Sequence, residues 1–204
     1  MPASGTIAGV LLAAGTSSRF GRNKVLLELD GEPLLARAAR RAGEAGLEPL
    51  VVVIGHEAER ARAALGGVRC AVVEHPGFAA GMATSLAAGV RALPPAVDGV
   101  VVLLADMPLV GPEVVRALVE RRRATGAPVV ASRYGGVVAP PTFFEAALFP
   151  ALLAGQGDGG ARALVAAQGE RARFVDLPAG ALLDLDGPGD LERLGPASGA
   201  GGAR

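Results

Sequence analysis

The segment Leu12-Ala13-Ala14-Gly15-Thr16-Ser17-Ser18-Arg19-Phe20-Gly21-Arg22-Asn23-Lys24 carries the densest chemistry in the chain. Ala13, Ala14 and Gly15 keep side chains short, so a flat base or a triphosphate can approach the backbone. Thr16, Ser17 and Ser18 offer hydroxyls and amides to phosphate oxygens. Arg19 and Lys24 supply two spaced positive charges that suit a triphosphate and a leaving pyrophosphate. The Gly-Lys-Ser/Thr of a P-loop is absent, and no G-x-G-x-x-G opens here.

A second group is Asp106, which follows the apolar run Gly99–Ala105 and leads into Met107-Pro108-Leu109-Val110. A carboxylate at the end of a buried strand suits a Mg²⁺ shared with phosphate oxygens. The competing role is to cap the helix expected from Pro112, for which Gly111 stands nearer. Three further stretches are less decided. Ser85, in the Gly-rich Gly77–Leu86, reads either as a ligand contact or as a helix-face hydroxyl. Asp158 reads as a helix cap, a second metal ligand or an acceptor contact, and Asp186 as a second Mg²⁺ ligand or a cap. Arg162 in a first helical turn opposes the helix dipole, which favours anion binding. His56 and His75 have no Cys or His partner at zinc spacing and read as loop residues.

The elements that must hold these groups follow from periodicity. Ile7–Ala14, Leu50–Ile54, Val68–Val73 and Gly99–Ala105 are continuous apolar runs bounded by turn residues, the pattern of interior strands. Between them Pro33–Ala45, Glu57–Leu65 and Met82–Leu93 have helical spacing, with Pro33 and Pro112 suited to first turns and Gly46 to an exit. The alternation predicts an α/β fold with a mostly parallel sheet and helices on both faces. Ligands then sit at the carboxyl ends of the strands, where the Leu12–Lys24 loop falls. After Pro128 the pattern changes: strand over Pro128–Tyr134, turn at Gly135-Gly136, short return at Val137-Val138, helices over Thr142–Leu153 and Gly160–Ala167, and a strand over Arg173–Leu177. Residues 1–194 are expected to form one domain, with a nucleotide-binding half to about 127 and an acceptor-side half from 128. Residues 195–204 are expected to be a flexible tail.

Lys+Arg and Asp+Glu balance at 20 each, which gives no pull toward nucleic acid or an anionic membrane. The runs Arg40-Arg41 and Arg121-Arg122-Arg123 read as solvated helix faces. Hydrophobic residues are 50% and aromatics 3%, so the core is Val, Leu and Ala. Cys70, the only cysteine, reads as a buried small hydrophobe within a strand. No leader or transmembrane-length segment is read, and the cytoplasm is the expected address.

The order LAAG-x-S-x-R-F-G-x-x-K, then Leu26-Leu27 and Gly31-Glu32-Pro33-Leu34-Leu35, resembles the MobA-like nucleotidyltransferases, and within them the molybdenum cofactor cytidylyltransferases. Leu-Ala-Ala-Gly in place of the guanylyl-transferring relatives' Leu-Ala-Gly-Gly favours CTP. The resemblance extends to Asp106-Met107-Pro108, to Gly81-Met82 with Ser85-Leu86, to Gly157-Asp158 with Gly160-Ala161-Arg162, and to Asp184–Leu191. It implies a Rossmann-like three-layer α/β/α fold of the nucleotide-diphospho-sugar transferase type. Leu12, Ala13, Ala14, Gly15, Ser17, Arg19, Lys24, Gly81 and Ser85 would bind nucleotide. Lys24, Arg19 and Asp106 would be catalytic, with Asp106 and Asp186 on Mg²⁺ or Mn²⁺. Asp158 and Arg162 would meet the acceptor.

The implied reaction moves CMP from CTP to molybdopterin with release of pyrophosphate. A molybdoenzyme would be a transient client, and neither nucleic acid nor membrane a partner. A guanylyltransferase, a sugar- or alditol-phosphate nucleotidyltransferase and a non-catalytic molybdenum cofactor chaperone stay open as alternatives. One departure falls after Tyr134-Gly135-Gly136, where Val138-Ala139 replace the arginine and glycine expected from relatives, on the acceptor side.

Overall fold

The computed structural model describes residues 5–15, 23–157 and 160–183. Ser17, Arg19, Asp158, Asp186 and the expected tail over 195–204 lie outside the described residues. Strand β1 (Ile7–Ala13) leads to a 3-10 turn at Lys24–Leu26 and a two-residue ribbon, β2 (Glu28–Leu29) and β3 (Glu32–Pro33). There follow α1 (Leu34–Glu44), β4 (Leu50–Ile54), α2 (Ala58–Ala64), β5 (Ala71–Glu74), α3 (Met82–Arg91), β6 (Gly99–Leu104) and α4 (Pro112–Thr125). The remainder is β7 (Val129–Tyr134), β8 (Val137–Glu145), α5 (Phe149–Ala154), α6 (Gly160–Ala167) and β9 (Ala172–Leu177).

The main sheet has the order β5-β4-β1-β6-β8-β7-β9. β1 pairs in parallel with β4 and β6, β4 with β5, and β7 with β9; β8 runs antiparallel to both β6 and β7. β1, β4 and β6 are buried on both faces, which is why they read as unbroken apolar runs.

Alternation along each strand sorts the core into two layers. Leu11, Val52, Ile54, Val101 and Phe143 meet Leu35 and Ala39 of α1, Ala61 of α2 and Leu118 of α4. Val10, Leu12, Val51, Val53 and Phe144 meet Leu86 and Val90 of α3, Leu152 of α5 and Val165 of α6. The expected three-layer arrangement with a mostly parallel sheet is therefore present. α3 lies very close to the sheet: a Cβ on Gly89 would fall 2.6 Å from Val10 Cγ1. Any larger residue there would push the helix away from β1.

The structure corrects several expectations. The helix over Thr142–Leu153 is instead the second half of β8, a 3-10 turn at Ala146–Leu148 and the six-residue α5. Thr142, Phe143 and Phe144 are strand formers, and pairing with Val100–Val102 on one side and Val129–Ala131 on the other outweighs their local helical spacing. The return strand is accordingly nine residues long rather than two. β5 begins after Cys70 and is an edge strand whose residues are at best half-buried. Cys70 is half-buried against the first core layer, and that burial raises its thiol pKa. Pro33 stands at the N-cap of α1, one residue before the helix.

Neither arginine run is a plain solvated face. Arg40 is exposed and bonds Glu32 and Glu44, but Arg41 turns toward the interior to reach backbone carbonyls. Arg122 lies over the Phe143 ring at 5.7 Å and 3.6 Å from Glu145.

Candidate active site

Parallel pairing brings four strand ends to one edge. Ala13 is level with Ile54, Leu12 with Leu104 and Ile54 with Glu74. Beyond those positions the chain continues as Ala14-Gly15, Gly55-His56, His75 to Gly81, and Ala105-Asp106. Cross-links between the segments are backbone bonds: His56 N–H to Ala14 O at 3.2 Å, Ala105 N–H to Leu12 O at 3.1 Å, and His75 N–H to Ile54 O at 2.8 Å. The sheet itself therefore gathers the loop, the two histidines and Asp106 at its carboxyl edge, the expected ligand edge of an open α/β sheet.

At that edge the Lys24 ammonium lies 2.5 Å from Asp106 Oδ2, with each side chain less than one-fifth exposed. Lys24 opens the short 3-10 turn, and the amide of Leu27 closes it onto the Lys24 carbonyl. Leu34 at the start of α1 in turn donates to Leu27 O at 2.9 Å. Asn23, just ahead of Lys24, is 2% exposed, and its Nδ2 donates to the His56 carbonyl at 2.9 Å. Its Oδ1 is buried with no hydrogen-bond partner. Asn23 thus pins the return of the loop to the end of β4. Sequence reading passed over it, because its partner is a carbonyl with no side-chain signature.

Leu12, Ala13 and Ala14 are buried, their side chains in the two core layers. Gly15 is exposed, and a Cβ added to it would meet nothing within 4 Å. The strand end thus changes from packed wall to open edge at Gly15, where a flat or anionic group has room beside the backbone. Gly81 caps α3 with φ 112° and ψ 165°, a backbone conformation open almost only to glycine. Thr84 bonds the Gly81 carbonyl at 2.8 Å and stands 2.9 Å from His75 Nε2, which ties the β5 end to the start of α3. Ser85 faces inward and is 4% exposed, whereas Met82 is on the outside. Ala83 N–H donates to Gly157 O at 2.9 Å, so the residue before Asp158 lies against the first turn of α3. Arg162, early in α6, is exposed.

The Tyr134–Val137 turn reaches the same edge, because β7 runs parallel to β6 through the intervening β8. The β7–β8 ladder slips between Ala131 and Ser132, leaving Pro140 and Pro141 as a bulge. Ser132 Oγ donates to Pro141 O at 2.9 Å and Tyr134 Oη to Pro140 O at 3.0 Å, which satisfies the bulge carbonyls. Val138 is half-buried against the second core layer and Ala139 pairs with Ser132. An arginine at 138 would need to leave that apolar contact.

A hollow of about 550 Å³ opens at the opposite, amino-end edge of β1, between Gly5–Ile7, Leu47, Glu48, Arg116 and Arg123. It contains none of the residues singled out above. Among the described residues no three His, Cys, Asp or Glu side chains converge as a metal cluster, and no helix is long and apolar enough to cross a membrane.

A sequence model of the MobA-like NTP transferase domain matches residues 9–172. The chain belongs to that family. It is a nucleotidyltransferase, and its relatives agree with that assignment. This MobA-like transferase is 32% identical to the purine catabolism protein PucB of Bacillus subtilis over 199 residues, covering 91% of this chain and 90% of PucB. It is 39% identical over 138 residues to the bifunctional protein GlmU of Anaeromyxobacter dehalogenans, a match that takes in 63% of this chain but spans only 28% of GlmU. Its fold superposes on the crystal structure of Rv0371c from Mycobacterium tuberculosis with a TM-score of 0.83 at 30% identity, covering 94% and 98% of the two chains. Rv0371c also has a crystal structure in complex with manganese, to which this chain is similar with a TM-score of 0.76.

Proposed function

We propose that this MobA-like transferase moves CMP from CTP to molybdopterin, with Mg²⁺ or Mn²⁺ held by Asp106. The observation that carries the reading is the Lys24–Asp106 pair at the carboxyl edge of the sheet, a cation and a hard oxygen donor within 2.5 Å of each other beside the open Gly15 backbone. A small divalent cation that keeps several waters needs only one or two protein carboxylates when substrate phosphates complete its shell. Asp106 fits that demand, and the manganese complex of Rv0371c supports a divalent ion in this fold. When bound, the ion would supply Lewis-acid stabilisation of charge on the phosphate oxygens.

The chain's own residues would act as follows. Gly15 leaves backbone free beside the triphosphate, with Leu12, Ala13 and Ala14 forming the wall behind it. Lys24, together with Arg19, stabilises charge that builds on the α-phosphate and on the departing pyrophosphate. An acceptor phosphate oxygen attacks the α-phosphorus in line; the new O–P bond forms as the bond to the β-phosphate oxygen breaks. No protein nucleophile takes part. Ser17, Gly81 and Ser85 would contact the nucleotide. Asp158 and Arg162 would meet the acceptor, and Asp186 would be a second ligand of the ion. CTP is favoured by Leu-Ala-Ala-Gly in the loop, and the cytoplasm is the proposed location, with a molybdoenzyme as transient client. Pyrophosphate release measured with each of the four NTPs, with and without molybdopterin, tests the proposal. Release only with CTP plus molybdopterin is expected. Release with GTP, or with a sugar phosphate as acceptor, would replace the corresponding half; tight NTP binding without any release would leave a carrier role.

A further inference from the structure

Asp106 lies between two fixed points of the backbone. On its amino side Ala105 is hydrogen-bonded to Leu12 of β1. On its carboxyl side the chain crosses from β6 to α4 through Met107–Gly111, a stretch held internally by the Val110 N–H bond to Met107 O at 3.2 Å. Met107 is buried beneath that crossing and Leu109 is exposed on top of it. The remaining restraint comes from α1, on the far side of the loop. Arg41 Nη1 donates to Pro108 O at 2.7 Å and to Val110 O at 3.2 Å, across 67 and 69 residues of sequence.

The placement of Arg41 is unusual for an arginine. Its two neighbours on the helix, Arg37 and Arg40, engage Asp30 and Glu32, whereas its own guanidinium is spent on neutral carbonyls. Burial, with the two adjacent arginines, lowers its pKa from the ordinary value, while Glu113 and Glu32 act in the other direction. A guanidinium held in such surroundings gives charge-assisted bonds whose fixed fork sets the distance between the two carbonyls it grips. Its grip begins two residues after Asp106, and its helix follows directly from the loop that carries Lys24. Both members of the Lys24–Asp106 pair are thereby referred to α1: Lys24 through Leu27 and Leu34, Asp106 through Arg41.

We infer that Arg41 is a positioning residue for Asp106, clamping the Met107–Val110 loop so that the carboxylate is presented to a divalent cation. This rests on the reading of Asp106 as a cation ligand. Groups that orient a metal ligand without touching the metal typically change affinity by about 10- to 100-fold when removed.

The test uses the full chain and Mn²⁺, with binding followed by the electron paramagnetic resonance of free Mn²⁺ in the presence of CTP, beside the Mn²⁺ dependence of pyrophosphate release and the melting temperature. Arg41→Ala is expected to raise the half-saturating Mn²⁺ concentration about 10-fold in the binding measurement, with turnover at saturating Mn²⁺ much less affected. Arg41→Lys keeps the stem and can grip one carbonyl at a time, so its shift should be intermediate; it also serves if the alanine variant does not fold. Half-saturation within about 2-fold of the parent in a folded Arg41 variant, with only a lower melting temperature, overturns the inference and makes Arg41 a fold residue. Asp106→Asn separates the two ideas. If it binds Mn²⁺ as tightly as the parent, the cation reading of Asp106 fails, and the inference with it; if it loses Mn²⁺ while Arg41→Ala does not, only the inference fails.

Discussion

The Lys24 ammonium and the Asp106 carboxylate are joined at 2.5 Å, although one belongs to the loop after β1 and the other to the end of β6. An ammonium so placed and a divalent cation draw on the same oxygen. Lys24→Met should therefore tighten Mn²⁺ binding in the absence of nucleotide by about 3-fold or more, roughly 0.6 kcal/mol. The same variant should lose about 100-fold or more in CTP turnover, as when a preorganised charge is removed from a transition state. Calorimetric titration with Mn²⁺ and a pyrophosphate assay check the two halves. Weaker Mn²⁺ binding would mean that the lysine assists the ion rather than competing with it.

Asp106→Asn keeps the size of the side chain and removes its charge. Turnover is expected to fall by about 1,000-fold or more if the carboxylate holds the reacting ion. Its melting temperature should stay within a few degrees of the parent, since the residue is near the surface and the backbone on either side is anchored independently. Retained Mn²⁺-dependent turnover would take Asp106 out of the metal role.

Asn23→Ala leaves the His56 carbonyl without its donor in a buried place. A cost of about 1–3 kcal/mol is expected for the unsatisfied group. Asn23→Asp should be worse above neutral pH, because an ionised carboxylate has nothing to donate and would be buried against a carbonyl oxygen. Urea unfolding of the two variants gives the ordering; equal stabilities would show that the loop relaxes away from β4 without loss.

Gly81→Ala is predicted to destabilise by about 1–3 kcal/mol, because φ 112° lies where a side chain is strained. If the start of α3 contacts nucleotide, CTP affinity should fall beyond what the loss of stability explains. Isothermal titration at a temperature where the variant is fully folded separates the two effects.

Much of this architecture can be read directly from residue order. β1, β4 and β6 announce themselves as apolar runs because both faces are buried, and Lys24 and Asp106 follow because charges at the ends of such runs have few other uses. The failures share a cause. Thr142-Phe143-Phe144 is strand only because β6 and β7 flank it, and nothing within ten residues signals that. Arg41 looked like one more surface arginine, since carbonyl acceptors 67 residues away leave no trace in side-chain pattern. Asn23 stood inside the most informative segment and was still overlooked, because its neighbour Lys24 offered the more obvious chemistry.

β8 is gripped differently along its length. Thr142–Glu145 pair with β6, whereas Val137–Ala139 pair with β7 alone, and the Pro140–Pro141 bulge separates the two stretches. The outer part is in effect a cantilever, anchored at its root and touching the catalytic strand nowhere. Insertions or exchanges in that arm would transmit little strain to β6 or to Asp106. A lineage could accordingly remodel what approaches the triphosphate from that side, residue by residue, while the machinery that breaks the phosphoanhydride bond is inherited unchanged.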